Sequence, residues 1–182
     1  MSGVQRYKRQ NDLHPTEKRW FAVRTNFKWE KLVQGWLKKK NIEVYLPLLH
    51  VVRRYKTKTK HLQIPLINNF VFVNIVESEY IKVLETEGAI FFLRDGKDLK
   101  AIPESEIAVL RLVVGEKVDS SINVAPISYD IGQAVEIVRG QLAGIKGKLV
   151  EKKGKKNFVV ELMGLDLELR MEIDMDMIRP LV

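Results

Sequence analysis

The chain has 182 residues, 46% of them hydrophobic, and carries 31 Lys/Arg against 23 Asp/Glu for a formal charge of +8. It has no cysteine, which excludes disulfides, thiolate metal sites and a Cys nucleophile, and its three histidines, His14, His50 and His61, are scattered over a polar tail and two extended segments, so neither a metal site nor a cofactor is expected. No apolar run approaches the roughly 18 residues of a membrane span, and the polar, basic start lacks the apolar core of a secretory signal, which points to a cytoplasmic protein without membrane contact.

Met1 to Glu17 has almost no apolar periodicity and reads as a flexible tail, so structure is expected from Lys18. Trp20 to Val23 is a short run of strand formers, interrupted by the helix-capping chemistry of Thr25 and Asn26. From Phe27 to Lys40, Trp29, Leu32, Val33, Trp36 and Leu37 recur at helical spacing with lysines opposite, which predicts an amphipathic helix packed on a sheet and places the tryptophans in a core. Glu43 to Val52 reads as a strand and Leu62 to Pro65 as its return, an extended hairpin with a basic tip. Phe70 to Ile75 is a further strand, Ser78 to Thr86 a helix with Tyr80, Ile81 and Leu84 inward, and Ala89 to Leu93 another strand. Pro103 at a first helical position opens a helix carrying Ile107, Leu110 and Val114, which Gly115 stops. This order predicts an α+β chain whose first domain, residues 18 to 115, is a ferredoxin-like split βαβ sheet.

Residues 116 to 130, with Asp119, Ser120, Ser121, Asn123 and Pro126 and no period, read as a linker. Beyond it, Val135 to Val138, Gly147 to Val150, Phe158 to Leu162, Leu165 to Leu169 and Met175 to Ile178 are short strands separated by glycines and by a tight turn at Lys152 to Lys156. Several strands without a helical pattern predict that residues 131 to 182 form a small β-barrel.

The basic surplus lies in residues 1 to 130, with 22 Lys/Arg against 15 Asp/Glu, whereas residues 131 to 182 hold 9 against 8. Arg53, Arg54, Lys56, Lys58 and Lys60 supply five cations to the hairpin tip with no acid among them. Such a run is either a solvated loop or a nucleic-acid contact, and Arg24 and Lys28 could join it. Phe70 and Phe72 share one face of their strand and Val71 and Val73 the other, so one apolar face is either ordinary core or a docking surface. Gly140, Gly144 and Gly147 read as structural positions that allow tight turns and bulges in the barrel. No His, Cys or Ser-centred constellation and no phosphate-binding loop is present, so an enzyme is not expected.

Trp20-Phe21-Ala22-Val23-Arg24-Thr25 with Glu30 after it, then Pro65-Leu66-Ile67-Asn68-Asn69-Phe70-Val71-Phe72-Val73, and finally the KOW-like stretch Gly132 to Gly147 resemble, in this order, the NusG family. The resemblance spans about Arg19 to Pro180. It implies an NGN domain followed by an SH3-like KOW barrel, and a transcription elongation factor that binds the clamp helices of RNA polymerase's largest subunit through Phe70 and Phe72, with Pro65 heading the segment. It further implies contact with non-template DNA or nascent RNA and suppression of pausing and termination. The basic hairpin makes the chain similar to the operon-specific antiterminators of the family. A ribosomal protein or Rho is the implied KOW partner, met through a small apolar contact of Leu142 and Ile145 on the loop that the family uses for partners, and Leu142, where members that couple to them commonly carry Phe, weakens that implication. Asn68-Asn69 stands where the family has Pro-Gly, which asks Asn to make the turn. The alternative from the residues alone is a stand-alone RNA-binding module.

Overall fold

The computed structural model describes residues 11–115, 122–127, 132–152 and 155–181, with side chains at 152, 155 and 156 left aside. The expected tail over Met1 to Gln10, the linker residues 116–121 and 128–131, and residues 153 and 154 of the turn expected at Lys152–Lys156 fall outside that description. In chain order the elements are β1 Arg19–Thr25, α1 Glu30–Lys39, β2 Glu43–Tyr45, β3 Leu48–Arg54, β4 Thr59–Pro65, β5 Phe70–Ile75, α2 Tyr80–Leu84 after a 3-10 turn at Glu77–Glu79, β6 Ala89–Phe92 and α3 Glu104–Gly115. There follow β7 Asn123–Pro126, β8 Gln133–Ile137, β9 Lys146–Lys152, β10 Lys155–Leu162, β11 Leu167–Glu172 and β12 Ile178–Pro180. The chain divides into two compact units, one of Met1–Leu46 with Asn68–Ile102 and one of Pro47–Ile67 with Pro103–Val182.

The first unit is an antiparallel sheet in the order β2-β5-β1-β6, the arrangement of a ferredoxin-like split βαβ fold. Alternation along β1 and β5 assigns Phe21, Val23, Val71, Val73 and Ile75 to one face, which is buried with Val33 and Leu37 of α1 and Val83 of α2. Phe92 of β6 joins it, with Tyr80 of α2 stacked on its ring at 4.6 Å. The helix ending in Leu84 was expected to turn Tyr80, Ile81 and Leu84 inward, but Ile81 is exposed and Val83 is buried. The preceding 3-10 turn shifts the phase of a helix only five residues long. The run Glu43 to Val52, read as one strand, breaks at Leu46-Pro47, because Pro47 has no N–H to continue the ladder. Of the residues read as tail, Asn11 bridges to Leu99, the Asp12 carboxylate accepts from the Ala101 N–H at 2.9 Å, and the His14 carbonyl accepts from the Glu77 N–H at 2.9 Å.

The second unit holds the β3-β4 hairpin, α3 and a six-stranded antiparallel sheet in the order β12-β8-β9-β10-β11-β7. Consecutive strands β8 to β11 pair as a meander and β12 returns beside β8, the strand path of a small SH3-like barrel. Its core is built from Val135, Ile137, Val150, Phe158, Leu162 and Leu169. Gly147 lies where a Cβ would stand 2.4 Å from the Val159 carbonyl oxygen, so β9 and β10 approach one another only because that side chain is absent. Within the segment read as a linker, Asn123–Pro126 forms the edge strand β7 against β11.

Candidate binding surfaces

The hairpin ladder runs from the pair Leu48/Pro65 to the pair Arg54/Thr59, and Tyr55 donates its N–H to the Lys58 carbonyl at 2.8 Å to close the turn. Every side chain from Val52 to His61 is exposed. Arg53 stands directly opposite Lys60, a like-charge cross-strand pair that opposes the ladder's stability when no anion is present. None of Arg53, Arg54, Lys56, Lys58 and Lys60 has an ion-pair partner among the described residues. Pro65 ends β4, half-buried.

On the face of the first sheet away from Val71 and Val73, Trp20, Tyr45 and Phe72 cluster, with the Tyr45 ring T-shaped against Trp20 at 6.5 Å between centroids and tilted against Phe72 at 6.4 Å. Phe72 is 0% exposed. The aromatic pair read from sequence as either core or docking surface is therefore divided, because Phe72 is core and only Phe70 of the two reaches solvent. Phe70 sits opposite Arg24 of β1, whose guanidinium carbon lies 5.1 Å from the Phe70 ring centroid. Arg24 in turn stands opposite Phe91 of β6, which is 50% exposed. Arg24, read from sequence with the hairpin as a nucleic-acid contact, thus lies between two phenylalanines. Phe91 was not singled out from sequence, although two adjacent Phe residues in a strand must point to opposite faces. Lys28 adopts φ 64° in the turn after β1, with its ammonium 5.0 Å from the centroid of the exposed Phe27 ring.

The turn before Phe70 is held from below. Asn69 takes φ 62°, the left-handed conformation expected of Asn where the family has Gly, and donates its N–H to the Glu30 carboxylate at 2.7 Å. Glu30 is buried in the first turn of α1, where the helix dipole favours an anion. Its carboxylate fixes the backbone one residue ahead of Phe70.

In the barrel, Gly140 (φ 78°) and Gly144 (φ 91°) make the left-handed corners of the β8-β9 connection, which the Gly144 N–H closes onto the Ile137 carbonyl at 2.7 Å. Leu142 and Ile145 are only 7% and 6% exposed and belong to the barrel core, so they do not stand open as the small apolar partner contact that the resemblance implied. Glu106 of α3 accepts from the Gly164 N–H at 3.0 and 3.2 Å, in the 3-10 turn between β10 and β11. Burial holds its carboxyl above the usual glutamate range, against the opposing pull of the Gly164 and Met163 backbone N–H groups.

Among the described residues no helix is long and apolar enough to cross a membrane. A search of the curated proteins returns no match. Among solved structures the chain is similar to NusG of Thermotoga maritima, from a study of its domain interaction, at 14% identity and a TM-score of 0.56, covering 92% of this chain and 99% of that one. It is also matched to two conformations of the MjSpt4:Spt5 complex at 16% and 17% identity, over 89% of this chain and 97% and 96% of those, with TM-scores of 0.32 and 0.33. The family model described as "NusG: Transcription termination factor nusG" matches residues 18–111, more than half of the sequence and the whole of the first sheet with its helices, so the chain belongs to the NusG family.

Proposed function

We propose that this protein is a cytoplasmic, non-enzymatic transcription elongation factor that docks on the clamp helices of RNA polymerase through Phe70. In this reading the Arg53–Lys60 hairpin reaches non-template DNA or nascent RNA, and the outcome is suppression of pausing and termination at particular operons. Residues 18 to 115 act as the polymerase-binding domain and the barrel as the recruiter of a second factor. Phe72 supports Phe70 from within the core rather than touching the partner, and Pro65 heads the segment that leads to both.

The observation that carries the reading is the hairpin: five cations with no ion-pair partner among the described residues project on a ladder whose Arg53/Lys60 step repels itself, an arrangement that a polyanion stabilises. The test is equilibrium binding of the purified protein to core polymerase and to an elongation complex across a salt series. Replacing Arg53, Arg54, Lys56 and Lys58 with Gln should weaken binding to the elongation complex and flatten the slope of log K against log salt by up to about 3, at ~0.7 for each phosphate no longer neutralised. An unchanged slope refutes the nucleic-acid role. Tight binding of free RNA without polymerase affinity overturns the whole reading in favour of an RNA-binding module.

A further inference from the structure

We propose that Phe70, Arg24 and Phe91 form one recognition row, which grips a single partner helix presenting a carboxylate between apolar side chains. The proposal rests on the polymerase-binding reading and names what that contact selects.

The three residues lie on neighbouring strands β5, β1 and β6, in register, with Arg24 opposite Phe70 on one side and opposite Phe91 on the other. Directly opposed residues share a face, so the row is aromatic, cationic, aromatic across the sheet. At about 4.8 Å per strand the two phenylalanines stand roughly 10 Å apart, which is the diameter of one α-helix with its side chains. β6 is the edge of the sheet, so the Phe91 end of the row opens to solvent.

Arg24 decides the chemistry of the occupant. Its guanidinium lies against the Phe70 ring and has no ion-pair partner among the described residues. A guanidinium held by a ring on an apolar surface keeps its in-plane donors free for one planar anion, and a carboxylate satisfies them bidentately. A nucleic-acid strand brings a phosphate with every base, and the row supplies one cation where the hairpin supplies five in eight residues. The next residues on this face, Ala22 and Phe72, are apolar and buried and add no charge. A protein helix with one acid flanked by apolar side chains matches this surface, and a polyanion does not.

The test measures the affinity of the full chain for core polymerase, and separately for single-stranded DNA, in wild type, Phe70→Ala, Phe91→Ala, Arg24→Gln and Arg24→Glu. Thermal melts check that each variant folds, and all three positions reach solvent. The expected result is a loss of roughly tenfold or more in polymerase affinity for Phe91→Ala, a loss for Arg24→Gln and a larger one for Arg24→Glu, with DNA affinity unchanged. If Phe70→Ala weakens polymerase binding while Phe91→Ala and both Arg24 variants bind like wild type, the row is overturned and the docking reading stands. If Phe70→Ala also binds like wild type, the docking reading itself fails. Loss of DNA affinity with polymerase affinity intact makes nucleic acid the occupant and overturns the proposal.

Discussion

Truncating Phe72 and truncating Phe70 should have opposite consequences, although the two side chains lie two residues apart on one strand face. Phe72 is fully buried on β5, an interior strand, between Ala22 of β1 and Tyr45 of β2. Removing its ring deletes the packing against Tyr45 and leaves a cavity in a sheet that cannot collapse around it, at a cost of about 3–5 kcal/mol. Phe70 is half-buried and gives up an Arg24 cation–π interaction and part of its apolar area, about 1 kcal/mol in all. For a chain of this size each kcal/mol lowers the melting temperature by roughly 2–4 °C, so Phe72→Ala should lose roughly 6–20 °C and Phe70→Ala only a few degrees. Differential scanning calorimetry measures the shifts, and polymerase binding is measured on the same samples below the lower transition. A Phe72→Ala variant that melts like wild type yet fails to bind refutes the reasoning, because it makes Phe72 a contact residue and its burial irrelevant to the binding state.

Two further outcomes follow from buried or partly buried carboxylates. Glu30→Ala strands the Asn69 N–H and should cost about 1–3 kcal/mol in urea denaturation while weakening polymerase binding through a displaced Phe70; Glu30→Gln, which keeps an acceptor, should restore most of both. Equal binding losses in the two variants would show that the charge, not the positioning of the turn, matters. Glu106 has its folded pKa raised above the ordinary 4.5, so its contribution to stability is fully present below that value and is lost as pH rises through the folded pKa. Glu106→Gln should remove that decline while keeping an acceptor for the Gly164 N–H, and identical stability–pH curves for the variant and wild type would rule the linkage out.

Elements with a clear hydrophobic period were legible in the sequence, and so was their order. The switch from alternating residues at Trp20–Val23 to a 3.6-residue repeat through Val33 and Leu37, and back at Phe70–Ile75, leaves few topologies besides the split βαβ sheet observed. The tight turn at Asn69 was legible for a different reason, since few residues other than glycine enter the left-handed region as readily. What stayed hidden depended on neighbours distant in sequence. The β2/β3 break at Pro47 lies inside an apolar run that reads as one strand, and the separate pairing of Glu43–Tyr45 with β5 and of β3 with β4 makes it two. β7 is only four residues long and carries no period of its own, because an edge strand draws its definition from its partner, here β11. Leu142 and Ile145 look like an exposed loop contact until the two glycine corners fold them into the barrel. The Phe70–Arg24–Phe91 row is invisible because its members are contributed by three strands spread over 68 residues of sequence and meet only through the register.

The two candidate surfaces obey different physics, which makes them separable in kinetics as well as in affinity. The hairpin's cations are exposed and have no ion-pair partner among the described residues, so they act at a distance: they raise the encounter rate with a polyanion, and salt screens them over about 8–10 Å. The aromatic row acts only at contact, through desolvation of Phe70 and Phe91 and through the orientation of one guanidinium, so its removal falls on the dissociation rate. Neutralising the hairpin should therefore slow association in low salt and leave dissociation nearly unchanged, whereas Phe91→Ala should speed dissociation at any salt. If both changes altered the same rate constant with the same salt dependence, the division between a steering arm and a gripping face would be untenable, and a single mixed interface would have to account for both.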